Sequence, residues 1–156
     1  MSDEEKAVAI GDCRGEDLPE ISKILAESPE AAMWSEDSLG KMIGSGFESF
    51  LVARRDEELA GFVLSRMVGG EAEILNLAVK KGHRRRGVGA ALVNAMQTRC
   101  EERGCGRVIL EVRESNRGAI KFYEGMGFER VGRRAGYYQD PEEAALVLAK
   151  AIPPEG

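Results

Sequence analysis

Histidine is almost missing from this chain of 156 residues: His83 stands alone, as does the single tryptophan, Trp34. One imidazole leaves zinc without a ligand set, because Cys100 and Cys105 have no second pair to join and Cys13 lies far off in sequence. No metal is therefore expected. Three cysteines are an odd count, which argues against a disulfide framework and for a reducing, cytoplasmic compartment. No apolar run approaches the ~18 residues that a membrane span needs. The opening stretch, MSDEEKAVAI, is acidic before it is apolar, the reverse of a secretory leader. No membrane partner is expected. A strong charge of one sign is also lacking: 22 basic residues face 27 acidic ones, for a net charge of −5. Such a chain is a poor general binder of nucleic acid or anionic lipid, so any basic patch must be local.

What is present is ordinary globular composition, 43% hydrophobic and 31% charged. The length matches one domain at the usual roughly 100–200 residues per domain. A single domain over 1–156 is expected, with an ordered core over about 7–152 and a frayed tail at 153–156. Ala7 to Gly11 reads as a strand, and Glu16 to Glu27 as a helix with Leu18, Ile21, Ile24 and Leu25 on one face. Ser35 caps a second helix to about Ile43. Phe50 to Arg54, Leu59 to Val68 and Glu71 to Val79 read as a three-stranded meander, with a hairpin turn at Gly69-Gly70. A helix starts near Gly87 and is stopped by Gly104. Then come a strand over Arg107 to Arg113, a helix over Arg117 to Met126, and two closing strands, Phe128 to Arg134 and Ala144 to Ala151. The order predicts a mixed α+β fold with a mostly antiparallel central sheet flanked by helices.

One stretch stands out. Leu75-Asn76-Leu77-Ala78-Val79 runs through a polar loop into Arg84-Arg85-Arg86-Gly87-Val88-Gly89-Ala90, where a helix begins. Glycines at such a turn let an anionic group approach the backbone, and the first free N–H groups of the helix point at it. The three arginines add charge where a pyrophosphate needs neutralising. A dinucleotide fingerprint requires a third glycine where Leu92 stands, and a phosphate-binding Walker loop requires a lysine followed by Ser or Thr; both patterns fail. A solvated basic helix start is the plain alternative. Nucleic-acid contact is disfavoured, since no aromatic partners lie nearby and the chain is acidic.

The register of this segment resembles the acetyl-coenzyme-A motif of the Gcn5-related N-acetyltransferase (GNAT) family, Q/R-x-x-G-x-G/A, with Arg84, Gly87 and Gly89 at its defined positions. A second block fits the same family: Leu110-Glu111-Val112-Arg113-Glu114-Ser115-Asn116, then a helix ending in Tyr123-Glu124-Gly125-Met126-Gly127-Phe128. Two blocks in the right order are far more specific than either alone. Within the family, Trp34-Ser35-Glu36, Leu110 to Arg113, and Arg133-Arg134 followed by Tyr137-Tyr138 are similar to the bacterial ribosomal-protein-alanine N-terminal acetyltransferases and their archaeal relatives. The likeness runs over about Ala7 to Ile152.

The resemblance implies acetyl transfer from acetyl-CoA, as co-substrate, to a primary amine, with the amino terminus of a protein, possibly of a ribosomal protein, as the acceptor. An α-amine titrates near pH 8, so a base must remove its proton before it attacks. Glu111 is the implied base, a carboxylate on the strand face opposite Val108, Leu110 and Val112. Tyr123 is the implied acid toward the departing thiolate. Leu77, Ala78 and Val79 would offer backbone groups to the pantetheine arm, and Arg84, Arg85, Arg86, Gly87, Val88, Gly89 and Ala90 would cradle the pyrophosphate. Asn116 would hold a pantetheine amide or cap its helix. Tyr137 and Tyr138, in a polar loop, and Trp34 would wall the acceptor groove. Lysine or small-amine acetylation, and a coenzyme-A-binding regulatory module without turnover, are the competing readings. Oligomeric state is not legible.

Overall fold

The computed structural model describes residues 7–28, 35–43, 46, 48–139 and 141–153. Seven strands form one sheet in the order β1-β2-β3-β4-β5-β7-β6. They are β1 (Val8–Asp12), β2 (Glu48–Arg55), β3 (Glu58–Val68), β4 (Glu71–Val79), β5 (Arg107–Arg113), β6 (Glu129–Tyr138) and β7 (Glu143–Ala151). The helices are α1 (Leu18–Ala26), α2 (Glu36–Met42), α3 (Val88–Glu102) and α4 (Arg117–Gly125). Every neighbouring pair is antiparallel except β4 with β5. The expected mixed α+β architecture and element order are therefore present.

Side-chain alternation explains which faces are covered. On β2, Leu51 and Ala53 face a core shared with Val88, Leu92, Met96 and Cys100 of α3 and with Ile120 and Tyr123 of α4. Phe50 and Val52 face a second core with Ile21, Ile24 and Leu25 of α1 and Leu39 of α2. Strands buried on both faces read as continuous apolar runs, which is why β2 and β3 lack a polar alternation. The second core takes strand residues from β2, β3 and β4 but not from β5, β6 or β7. One face of that farther half is thus left for polar side chains.

Local signals account for most boundaries. The hairpin from β3 to β4 turns on Gly69 and Gly70, at φ of 61° and 80°. Ser35 caps α2 by accepting from the Ser38 N–H at 3.1 Å. The first helix is shorter than expected: Gly15–Asp17 forms a 3-10 turn, and α1 proper begins at Leu18 with Pro19 in its first turn. Asp17 is buried there because it bonds the Arg14 N–H and pairs with Arg54 of β2, which anchors this corner to the sheet. The largest difference from the sequence expectation lies at β6. It continues to Tyr138, so Tyr137 and Tyr138 stand at the end of a strand and not in a loop.

Candidate active site

Strands β4 and β5 pair only over Glu71–Arg107, Ala72–Val108 and Glu73–Ile109, then separate. From Ile74 onward β4 pairs, among the described residues, with β3 alone, and one backbone edge is left open. The divergence coincides with a bulge. Leu64 pairs with Asn76 and Ser65 with Ile74, so Leu75 is the extra residue that bends β4 away. The wedge widens into a cleft of about 770 Å³ between Ile74–Val79 on one side and Leu110–Arg113 on the other. Tyr123, Asn116 and Tyr138 also line it, and Arg84 and Ser28 stand at its edge.

At the end of β4 the chain makes a turn held from below. His83 lies between Arg55, at 3.1 Å from Nδ1, and Glu58, at 3.3 Å from Nε2. Lys80 donates to Glu58 at 2.6 Å, and this bond holds the Glu58 carboxyl below its ordinary pKa. Arg84 is exposed but folds back along the surface: its Nε donates to the Val79 carbonyl, and Nη2 to the Glu27 carbonyl and Ser28 Oγ. The guanidinium thus ties the strand end to α1. The two glycines of the motif have different reasons to be glycine. Gly87 sits at φ 80° as the cap of α3, with open space where a side chain would be. A Cβ on Gly89 would lie 3.3 Å from the Phe122 ring, so its missing side chain allows α3 to pack against α4 rather than leaving room for an anion. Beyond Gly87, the N–H groups of Val88, Gly89 and Ala90 begin a helix of 15 residues.

Glu111 projects from β5 on the face opposite Val108, Leu110 and Val112, as alternation requires. Its side chain is only 14% exposed, and Oε1 lies 3.4 Å from the Arg134 guanidinium. Oε2 is buried with no hydrogen-bond partner among the described residues. Hydrogen bonding to Glu111 is also the main reason the Tyr137 phenol is pushed above its ordinary pKa, with desolvation second. Arg113 stacks 4.3 Å over the Tyr138 ring and pairs with Glu143 at 3.3 Å.

Tyr123 is buried in the α3–α4 core, edge-on to Phe122 and Phe128 at 5.1 and 5.4 Å, while its residue also lines the cleft. Burial pushes its phenol well above the ordinary value, so it keeps its proton at neutral pH. Asn116 caps α4, its Oδ1 accepting from the Ala119 N–H at 3.2 Å, and it too lines the cleft.

The cleft therefore gathers Leu77, Ala78, Val79, Arg84, Glu111, Asn116, Tyr123 and Tyr138. Arg85, Arg86, Gly87, Val88, Gly89 and Ala90 continue past its end, and Val88 is fully committed to the core. Trp34 lies outside the described residues. Sequence reasoning missed Arg134, whose only signal is the Arg133-Arg134 pair before two tyrosines. It also missed Asn76, a buried polar side chain in the cleft wall. No group of three or more metal-binding side chains occurs among the described residues. No described helix is long and apolar enough to cross a membrane.

A split sheet with a glycine-capped helix at its mouth and a half-buried carboxylate inside is a recognisable arrangement, and the sequence profile of the acetyltransferase (GNAT) family matches residues 18–128. The chain belongs to that family. It is 33% identical over 138 residues to the [ribosomal protein bS18]-alanine N-acetyltransferase of Escherichia coli K12, covering 87% of this chain and 92% of the relative. The crystal structure of the ribosomal-protein-S18-alanine N-acetyltransferase from Escherichia coli superposes with a TM-score of 0.82 at 30% identity, over 96% of this chain and 97% of that one. Ard1 from Thermoplasma volcanium is similar too, with a TM-score of 0.82 at 27% identity, over 94% and 99% of the two chains.

Proposed function

We propose that the protein transfers an acetyl group from acetyl-CoA to the α-amino group of a protein amino terminus, with a ribosomal protein as the acceptor. The observation that carries this reading is the cleft itself, where the open edge of β4 runs alongside the half-buried Glu111 and the protonated Tyr123. The residues present suit the co-substrate. An extended amide-bearing arm matches an unpaired strand edge. The free N–H groups at the start of α3, the open left-handed Gly87 and the neighbouring Arg85 and Arg86 suit a pyrophosphate.

Acetyl-CoA supplies the activated acyl carbon as a thioester. In this reading Glu111 accepts the proton of the acceptor ammonium, which frees the lone pair for attack. Tyr123 donates a proton toward the departing sulfur. Backbone N–H groups of Leu77 to Val79 orient the arm and stabilise the negative charge that develops on the acyl oxygen. Asn116 caps α4 through Oδ1 and has its amide nitrogen left for an arm carbonyl. Tyr137 and Tyr138 form a wall of the acceptor groove. The three buried free cysteines suit a cytoplasmic setting.

The test is acetyl-CoA consumption against peptides with free and blocked amino termini, with lysine and small-amine controls. Turnover that needs a free α-amine, and is strongest on the amino-terminal sequence of a ribosomal protein, is the expected result. Turnover on blocked, lysine-bearing peptides or on small amines alone would replace this acceptor, and binding without turnover would replace the enzyme with a coenzyme-A-binding module.

A further inference from the structure

The Arg133-Arg134 pair splits between the two faces of β6. Arg133 turns to one side and holds Glu114 through two hydrogen bonds, at 2.6 and 3.1 Å. Arg134 turns to the other. The register explains why this is the Glu111 side. Glu111 of β5, Val147 of β7 and Gly132 of β6 stand in one row, and Arg113, Ala145 and Arg134 in the next. Residues paired across a ladder share a face, as do those two apart along a strand, so Glu111, Arg113 and Arg134 all project from the uncovered face.

That alignment depends on two irregularities. Arg130 pairs with Leu148 but Gly132 with Val147, so Val131 is an extra residue that reverses the parity of everything after it. Arg134 pairs with Ala145 but Tyr138 with Glu143, which inserts a second bulge containing Gly136 at φ 63°. Without the first, Arg134 would face the α4 side. With both, Arg134 lies beside Glu111 and the two tyrosines close over the end of the strand. The Arg134 guanidinium is 5.5 Å from the Tyr137 ring, and Tyr137 meets Tyr138 edge-on at 5.1 Å.

We propose that Arg134 is a positioning residue for Glu111. Its guanidinium, 3.4 Å from Oε1, holds the carboxylate in one direction, and the Tyr137 ring lies against the guanidinium at 5.5 Å. This rests on Glu111 being the base, as read above. A glutamate has three rotatable bonds, and an unrestrained carboxylate spends much of its time misdirected; one held by a guanidinium keeps the same orientation at every encounter. Arg134 is itself 58% exposed, so its position is set by these contacts and not by packing. Its role is to act through Glu111 without touching the reacting atoms.

A double-substitution cycle on the full-length chain tests this, with Arg134→Gln, Arg134→Lys and Glu111→Gln assayed for kcat and KM on the preferred acceptor peptide. Arg134→Gln is expected to lower kcat about tenfold with KM nearly unchanged, and Arg134→Lys to restore most of the loss. In the Glu111→Gln background, Arg134→Gln is expected to cost nothing further. An equal loss in both backgrounds, or an effect on KM alone, would overturn the proposal. A second readout does not depend on turnover: titration of Tyr137 followed by NMR of 13C-labelled tyrosine. Besides Glu111, the charged groups acting on Tyr137 are Arg134 and Glu73. Glu111→Gln should move its midpoint down and Arg134→Gln should move it up. A midpoint unmoved by either substitution would show that Arg134 and Glu111 do not sit together against Tyr137 in solution, and would overturn the proposal. A Glu111→Gln protein that turns over at the full rate would instead overturn the reading of Glu111 as base, whatever the titration shows.

Discussion

The two halves of the sheet are built by opposite rules. Over β2 and β3, side chains pointing either way meet a helix, and residues such as Val52, Phe62, Val63 and Leu64 are almost wholly buried. Over β5, β7 and β6, one face rests on α4 and the α3 core, while the other carries Glu111, Arg113, Arg134 and Tyr138. Chemistry is possible only in the second half, because a carboxylate placed between two apolar layers would be neutralised or expelled. The first half supplies the rigid partner from which β4 diverges. Division of labour between a closed and an open half is what lets so small a chain hold a polar cleft without losing its core.

Substitutions can set the halves against each other. The largest effect expected is on the open face: Glu111→Gln should lower kcat by about 10²–10⁴-fold while leaving acetyl-CoA affinity and the unfolding midpoint close to wild type. Steady-state kinetics with calorimetric titration of the co-substrate checks this. In the closed half, Phe62→Ala should cost about 3–5 kcal/mol in chemical denaturation, since Phe62 has helices on one side and its cavity has little room to collapse. Between the two lies Gly87→Ala, which forces a left-handed residue and should cost about 1–2 kcal/mol together with a measurable loss of acetyl-CoA affinity. The smallest effect near neutrality concerns the covered thiols. Burial raises the Cys13 and Cys100 pKa values from 9.0 to about 12, so the folded state holds those protons more tightly than the unfolded one. Their contribution to stability is complete below pH 9 and is lost as the pH rises toward about 12. Denaturation across that window should be steeper for wild type than for Cys100→Ala.

The closed half was also the easier one to read. Continuous apolar runs, the Gly69-Gly70 hairpin and the Ser35 cap each have a local cause, and they place β2, β3, β4 and α2 closely. The candidate site was legible wherever its residues belong to one contiguous segment, as with Glu111, Asn116 and Tyr123 around β5 and α4. Legibility failed at β6. Two bulges break the period of two, and Gly136 with its polar neighbours has the composition of a loop, so the strand reads as ending at Arg134 when it runs to Tyr138. For the same reason Arg134 could not be assigned a face, since its direction depends on the extra residue at Val131 and on partners in β7. The folding back of Arg84 onto Glu27 and Ser28 was equally hidden, because it joins residues more than fifty positions apart in the chain.

The seam between β4 and β5 has three residue pairs among the described residues, Glu71–Arg107 through Glu73–Ile109, closed at its end by the Gly106 N–H donating to the Gly70 carbonyl, and beneath it the two halves share the apolar underside formed with α3 and α4. The sheet thus behaves as two plates joined by a short zip. Amide hydrogens beyond that zip, along the cleft side of β4, pair with no neighbouring strand among the described residues and should exchange with solvent faster than those facing β3. An extended ligand lying in the gap would complete the weave, slow that exchange and turn two plates into one cooperative unit, so deuterium uptake over Leu75–Val79 is a direct gauge of whether the gap is filled.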